Sequence, residues 1–326
     1  MAIQWLRRTW LLAAASALAL TGCGGGSIVS SFTPSRVVAF GDSMADIGQS
    51  GAQYTVNDNN ANGADNWTVF VAQSFGRTLT PAAQGGTSYA VGNARVNTHP
   101  DAAGNSSTPT VVEQVDTFLA SGAPNSSDLI ILNAGTADVI AEVQATMNGT
   151  QSSDTMVAHM QQAGIDLAAQ VRRLVNAGAT HVVVAGPYNL SKSPWVTTET
   201  DATTQGTRST LTDSATSNFN NKLLVSLVDL GADVLYVDAA LEFNLLTASP
   251  GSSSLTDATT VVCTSVDPGP GIGIGTNKVN SHLCTPSTIQ SGLNYQNFLF
   301  ADPVYPTPRG QQLFGDFAQA RIRDRW

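Results

Sequence analysis

The sequence is short of charge, of basic residues and of cysteine. Only 12% of its 326 residues are charged, and 15 Lys and Arg are set against 24 Asp and Glu, which leaves a net charge of −9 at pH 7. Nucleic-acid binding needs clustered basic residues, so this balance excludes nucleic acid as a partner. With Cys263, Cys284 and the nearby His282 there are too few ligands for a structural zinc site. No cofactor is implied.

The chain also lacks a hydrophobic run long enough to cross a bilayer comfortably. The apolar residues 10–20 follow two arginines, as in an export signal. They end in Leu-Thr-Gly-Cys at 20–23, which resembles the lipobox of bacterial lipoproteins, where the cysteine is acylated and becomes the mature N-terminus. The resemblance implies a signal peptide over residues 1–23 and a lipid anchor on Cys23. A plain secretory signal is the alternative.

Residues 24–35 are rich in Gly, Ser, Thr and Pro, which predicts a flexible tether. No aspartate follows Cys23, and by the lipoprotein sorting pattern this favours the outer membrane over a secreted or periplasmic location. An oxidising compartment favours a disulfide between the two remaining cysteines, Cys263 and Cys284. Closing that loop of about 20 residues is worth roughly 3 kcal/mol by the loop-entropy model.

Residues 36–326 are enough for one α/β domain. Four apolar stretches, rich in β-branched residues, read as buried strands; they begin at Arg36, Asp128, His181 and Asp233. A shorter strand is predicted within 85–95. Helices are predicted over 67–75, 110–119, 156–177 and 211–230 and at the C-terminus, whereas 193–210 and 247–296 read as polar loops. Strands alternating with helices indicate βαβ units, and hence a mostly parallel sheet covered on both faces.

The first strand stops at Gly41-Asp42-Ser43. In open α/β sheets, ligands bind beyond the carboxyl ends of the strands, where helix N-termini present their amides. Ser43 is therefore the first candidate for a functional residue. A plain turn after a strand is the alternative interpretation of the same three residues.

Four stretches resemble, in order, the conserved blocks of the GDSL or SGNH family of esterases and lipases. They are 40–43 (Phe-Gly-Asp-Ser), 89–94 (Tyr-Ala-Val-Gly-Asn-Ala), 135–138 (Gly-Thr-Ala-Asp) and 302–307 (Asp-Pro-Val-Tyr-Pro-Thr). The resemblance covers essentially all of the chain after the tether. It implies a three-layer αβα sandwich with a flavodoxin-like, mostly parallel sheet, and a serine ester hydrolase of carboxylesterase, lipase or phospholipase type.

The family's roles carry over to matching positions. Ser43 is the nucleophile and, through its amide, an oxyanion donor; Gly92, or the amide of Asn93, is a second donor; Asp302 is the triad acid. The chemistry needs these parts because a hydroxyl is a poor nucleophile without a base, and the tetrahedral oxyanion needs preorganised donors.

Two positions depart from the family pattern. Ala137 stands where the family has the oxyanion asparagine, and Tyr305 where it has the triad histidine. Loss of one oxyanion donor costs about 10²–10³ in rate. A phenol of pKa about 10 is a poor proton acceptor at neutral pH. The usual mechanism therefore cannot operate unchanged, and we expect Tyr305 to hydrogen-bond Asp302 or Ser43 in the space that imidazole would fill.

A substitute base is one way to complete the site. By sequence His282 is best placed and His99 is second, whereas His159 and His181 suit structural roles; Asn133 or Asn93 could replace the missing amide. In a second interpretation the site binds an acyl or glycan ligand without turnover, and in a third it is the relic of a structural surface lipoprotein. The partners implied are an acyl ester, a lipid or an acylated glycan, and a membrane reached through Cys23, with the protein a monomer.

Overall fold

A four-stranded parallel sheet forms the centre of the computed structural model, which describes residues 32–58 and 65–326. The strands are β1 (Arg36–Gly41), β2 (Asp128–Asn133), β3 (Val182–Ala185) and β4 (Val234–Tyr236), and they pair in that order. Consecutive residues of β1, β2 and β3 are buried, as expected for strands covered on both faces. The parallel α/β architecture predicted from the sequence is confirmed.

Segment 87–91 runs along the free side of β1. The Ala39 amide donates to Thr87 O at 3.1 Å, the Tyr89 amide to Ala39 O at 2.7 Å and the Val91 amide to Gly41 O at 3.1 Å. The short strand predicted within 85–95 is therefore present only as bridges beside β1, because glycines interrupt it on both sides. A second chain segment lying outside the first strand is the arrangement of flavodoxin-like sheets.

Within residues 32–58 and 65–326, eight α-helices surround the sheet. They are α1 (Trp67–Ser74), α2 (Val111–Ser121), α3 (Thr136–Met147), α4 (Ser153–Asn176), α5 (Pro194–Thr197), α6 (Ala202–Ser226), α7 (Ala239–Ala248) and α8 (Pro308–Arg325). The most extensive helix packing joins α4 to α6 and α1 to α8. Helices α3, α5 and α7 were not predicted from the sequence.

Helix α6 begins inside the predicted loop at 193–210, which was therefore placed wrongly. Its cap is Asp201, whose carboxylate accepts from the Thr204 amide at 2.8 Å. Only six of its residues are buried, and none of them precedes Leu211. The first turns pack little apolar surface, so the apolar pattern could not reveal them.

The long polar segment at 247–296 is folded rather than a plain loop. It holds β5 (Asp257–Val261), which pairs in parallel with β8 (Phe298–Phe300), and the antiparallel pair β6 (Val266–Asp267) and β7 (Lys278–Val279). Cys263 and Cys284 form a disulfide with Cα atoms 5.9 Å apart. Both cysteines lie in a small apolar cluster with Val56, so the stapled segment packs on the chain that follows Ser43.

The predicted signal peptide, Cys23 and most of the tether lie outside the described residues. The last four tether residues, 32–35, belong to the domain instead. The Phe32 ring stacks on His181 with centroids 3.7 Å apart, and Trp326 meets the same imidazole edge-on at 4.9 Å. Over 32–58 and 65–326, the chain forms no helix with the length and apolar character needed to traverse a bilayer.

Candidate active site

The turn after β1 is fixed by glycine and by a buried carboxylate. Gly41 has φ +148°, and a Cβ there would lie 2.0 Å from Asn133 O, so a larger residue would not fit. Asp42 Oδ1 accepts from the Met44 amide and Oδ2 from the Thr136 amide, both at 2.9 Å. Burial raises the pKa of Asp42 to about 7, while these amides act in the opposite direction. The carboxylate thereby ties the Ser43 turn to the first turn of α3.

The Ser43 hydroxyl is positioned by the backbone of the glycine block. The Asn93 amide donates to Ser43 Oγ at 2.8 Å, and Asn93 adopts a left-handed backbone with φ 62°. The Gly92 amide donates instead to Asp46 Oδ2 at 2.8 Å. The sequence offered two backbone amides as donors. The Asn93 amide donates to the serine, whereas the Gly92 amide already donates to Asp46. Asn93, and not Gly92, is therefore the residue of this block whose amide contacts Ser43.

The Asp302 carboxylate accepts hydrogen bonds from backbone amides and not from an imidazole. Its Oδ1 accepts from Val304 N at 2.7 Å and Tyr305 N at 2.6 Å, and its Oδ2 accepts from Ser281 N at 2.9 Å. Burial raises the pKa of this carboxyl to about 6. In this arrangement Asp302 holds together its own turn and the residue that precedes His282.

Tyr305 lies in the site, where its phenol interacts with Ser43 but makes no close hydrogen bond to Ser43 or Asp302. The side chain is fully buried, and Oη has no hydrogen-bond partner among the described residues. Burial raises the pKa of Tyr305 well above its usual value, and the nearby Ser43 hydroxyl acts in the opposite direction. Ser43 thus faces a neutral phenol with an uncommitted O–H. The bond to Asp302 is made by the Tyr305 backbone amide.

Tyr54 is the site residue that sequence analysis missed. A Cβ added to Gly92 would lie 2.2 Å from the Tyr54 ring, so the ring rests directly on that glycine. The ring centroid lies 5.2 Å from that of Tyr305 and 5.1 Å from that of His282. Tyr54 is 8% exposed, and Ser43 beneath it is fully buried. Its one signal is an apolar Tyr-Thr-Val in a loop otherwise rich in Asn and Gly.

His282 contacts Ser50 and Tyr54. Its Nε2 is 3.1 Å from Ser50 Oγ, and its ring packs on Tyr54. Burial lowers the pKa of His282, which favours the neutral imidazole. Its neighbour Ser281 is the residue bound to Asp302. The backbone next to His282 is therefore held beside Asp302, while the His282 ring contacts Ser50 and Tyr54.

The other three histidines contact acidic or aromatic side chains away from Ser43. His99 Nε2 lies 3.1 Å from Glu113 and His159 Nδ1 lies 2.8 Å from Glu142, while His181 packs between Phe32 and Trp326. Their surroundings leave His282 as the histidine nearest to the site.

Neither candidate asparagine side chain replaces the amide missing at Ala137. Asn133 Oδ1 accepts from Trp67 Nε1 at 3.1 Å, and its Nδ2 faces carbonyl oxygens at the end of β3 at 3.3 Å. Asn93 Nδ2 donates to Gly271 O at 3.0 Å. Ala137 itself is buried at the start of α3. Within the described parts of the chain, no cluster of three or more His, Cys, Asp or Glu is placed to hold a metal ion.

The chain is similar to known proteins at the level of family, sequence and fold. The family model described as GDSL-like Lipase/Acylhydrolase matches residues 37–317. A curated Pseudomonas putida protein, named as an uncharacterized protein in the trpE-trpG intergenic region, is 26% identical over 311 residues. The alignment covers 90% of this chain and 49% of that protein, so the chain spans about half the length of this relative. A solved structure from the lipolytic G-D-S-L family of Veillonella parvula aligns with TM-score 0.43 and 12% identity, covering 87% of this chain and 95% of that one.

Proposed function

The chain belongs to the GDSL-like lipase/acylhydrolase family, and from this premise we propose that it is an esterase- or lipase-type hydrolase in which Ser43 attacks the acyl ester. One observation carries the proposal: the Asn93 amide donates to Ser43 Oγ at 2.8 Å, just beyond the carboxyl end of β1. An amide so close to the attacking oxygen is well placed for the oxyanion that forms next to it.

Oxyanion stabilisation has three candidate donors. When Ser43 Oγ bonds to the carbonyl carbon, negative charge moves to the carbonyl oxygen. The Ser43 and Asn93 amides lie beside that position, and the Tyr305 O–H is buried there with no other described partner. A neutral phenol can donate a hydrogen bond. We therefore assign Tyr305 as an oxyanion donor that takes over the function of the amide missing at Ala137.

The proton of Ser43 needs an acceptor, and Tyr305 is unsuitable because burial raises its pKa. His282 is our candidate, since burial lowers its pKa and so favours the form that accepts a proton. Asp302 holds the adjacent Ser281 amide at 2.9 Å. His282 packs on the Tyr54 ring, and that ring packs in turn on Tyr305. In this proposal the imidazole reaches Ser43 only after that ring has moved.

A second candidate function is binding of an acyl ester, lipid or acylated glycan without turnover. It is favoured by the phenol at the triad position and by the complete burial of Ser43. In a binding protein the pocket is retained, but the Ser43 hydroxyl is not needed for chemistry.

Hydrolysis of short and long p-nitrophenyl esters by the purified protein separates the two functions. Wild type is compared with Ser43→Ala, with His282→Ala and with the double variant Tyr305→His, Ala137→Asn. The hydrolase proposal expects activity above background that is lost in the first two variants. Equal, background rates for wild type and Ser43→Ala, with ligand binding retained, would replace it by the binding function.

We also propose that the protein is exported and carries a lipid on Cys23, most simply at the outer membrane. The support is the sequence at 20–23 and the Gly- and Ser-rich stretch that follows. Mass spectrometry of the mature N-terminus tests this proposal. An exported protein with an unmodified Cys23 would contradict it.

A further inference from the structure

We infer that Tyr54 is a gate: its ring fills the space in which an ester carbonyl must lie, so the site opens to acyl ligands only when this side chain turns away. The inference rests on the proposed function for the class of ligand, an acyl ester. Its geometric part, that one ring closes the site, can be tested without any ester hydrolysis.

The position of the ring is the first support. Tyr54 rests on the Cα of Gly92, the residue directly before the Asn93 amide that bonds Ser43 Oγ. A carbonyl oxygen bound to that amide would have to share this space. Ser43 is fully buried while Tyr54 keeps 8% of its surface exposed, and the Tyr54 ring centroid lies 5.2 Å from that of Tyr305 in the same site. The ring and a bound ester therefore exclude each other.

The chain directly after Tyr54 is held by hydrogen bonds, which leaves the Tyr54 side chain as the part that can move. Thr55 Oγ1 donates to Pro306 O at 2.9 Å, and the Asn57 amide donates to Cys284 O at 2.9 Å. Asn57 Nδ2 also lies 3.2 Å from Ser281 O. The Tyr54 segment is thus joined to the disulfide-stapled segment and to the turn of Tyr305.

A gate of this kind lowers the affinity for every ligand by the same factor. When the competent state is a fraction f of the molecules, the apparent dissociation constant is the intrinsic one divided by f. Binding of ligands with little apolar surface, such as acetyl esters, is then the first to become too weak to detect. Longer acyl chains retain enough contact to bind. Replacing Tyr54 by alanine should therefore lower the apparent dissociation constant. The factor should be about the same as the factor by which this replacement raises the accessibility of position 43.

The experiment converts Ser43 into a reporter of access. In full-length protein with Cys23→Ser, the substitution Ser43→Cys supplies the single free thiol, since Cys263 and Cys284 are joined. The rate of its reaction with 5,5′-dithiobis(2-nitrobenzoate) is measured with Tyr54 intact and in Tyr54→Ala, Tyr54→Leu and Tyr54→Phe. Tyr89→Ala is the matched control, because it removes another partly buried tyrosine, three residues before Gly92, whose ring stacks on Phe40. Thermal unfolding checks that each protein is folded.

We expect about a tenfold or larger acceleration in Tyr54→Ala, a smaller one in Tyr54→Leu and none in Tyr54→Phe or Tyr89→Ala, because local access rather than global unfolding is limiting. N-Methyloctanamide, an ester mimic that is not hydrolysed, should bind Ser43→Ala, Tyr54→Ala more tightly than Ser43→Ala by a similar factor. If the thiol at position 43 reacts equally fast with tyrosine and with alanine at position 54, the gate is overturned. Acceleration by Tyr89→Ala or Tyr54→Phe as large as by Tyr54→Ala would also overturn it.

The gate and the hydrolase proposal can fail separately. A wild type inert towards esters, combined with a thiol freed by Tyr54→Ala, leaves the gate and removes the hydrolase. If wild type hydrolyses esters but the thiol reacts at the same rate with and without the Tyr54 ring, the hydrolase proposal stands and the gate is refuted.

Discussion

Tyr305 bonds Asp302 through its backbone amide, at 2.6 Å, and not through its phenol. The residue at the family's histidine position thus keeps the turn that this block builds, and its hydroxyl remains in the site without a described partner. The acid of the block is held by the backbone, and the chemical role of position 305 is separate from its structural one.

Tyr305→Phe tests the phenol as an oxyanion donor. Removing one preorganised donor should lower kcat by about 10²–10³ with little change in KM. The fold should not suffer, because a buried hydroxyl with no partner contributes no net hydrogen bond and its removal is neutral or stabilising by up to about 1 kcal/mol. Steady-state kinetics and urea unfolding measure the two effects. An unchanged kcat would assign Tyr305 to packing alone.

The double variant Tyr305→His, Ala137→Asn tests whether the absence of a base and of a side-chain oxyanion donor limits turnover. It supplies an imidazole three residues after Asp302 and a side-chain donor at the start of α3. If absence of a base limits turnover, p-nitrophenyl ester hydrolysis should rise by at least about 10² over wild type, the scale of general base catalysis. Ser43→Ala in the same background is the control and should abolish the gain. A persisting gain would show that the new imidazole acts without Ser43.

Stability should fall as pH rises from about 4 to 7. Burial raises the pKa of Asp42 to about 7 and those of Asp46 and Asp302 to about 6. The folded protein therefore binds more protons than the unfolded chain between the ordinary aspartate pKa, about 3.9, and these values. Each such group lowers the free energy of unfolding by up to about 1.4 kcal/mol per pH unit in that window.

Urea unfolding at pH 4.5, 6 and 8 measures this dependence. Asp42→Asn cannot titrate, so its curve should be flatter by about one proton, most clearly between pH 5 and 7. Asp213→Asn, which changes an exposed aspartate on α6, is the control and should keep the wild-type slope. A wild-type stability that increases over this range would contradict the prediction.

Replacing both Cys263 and Cys284 by Ser should lower the free energy of unfolding by about 3 kcal/mol, from the entropy of the opened loop. The effect should extend to the site, because the stapled segment holds the Tyr54 segment through Cys284 O and Ser281 O. Hydrogen exchange of the Asn57 amide should accelerate more than that of the β2 amides. Equal acceleration throughout would indicate only global destabilisation.

The sequence by itself determined the sheet and the place of the serine. Runs of apolar residues such as those of β1 and β2 are local signals, because a strand buried on both faces needs apolar residues at nearly every position. The Gly41 turn is also local, since its backbone excludes a side chain. The order of the family blocks could likewise be read along the chain. Together they placed Ser43 at the carboxyl end of the first strand.

Only the tertiary structure decided what surrounds that serine. The Asn93 amide reaches Ser43 from 50 positions along the chain, and Ser281 reaches Asp302 from 21 positions away. Tyr54 is brought over Gly92 by contacts with Cys284 and Pro306. Such contacts depend on how distant segments pack, and no local spacing encodes them, because each partner is by itself an ordinary loop residue. The same reason hides the start of α6, whose first turns pack too little apolar surface to show a pattern.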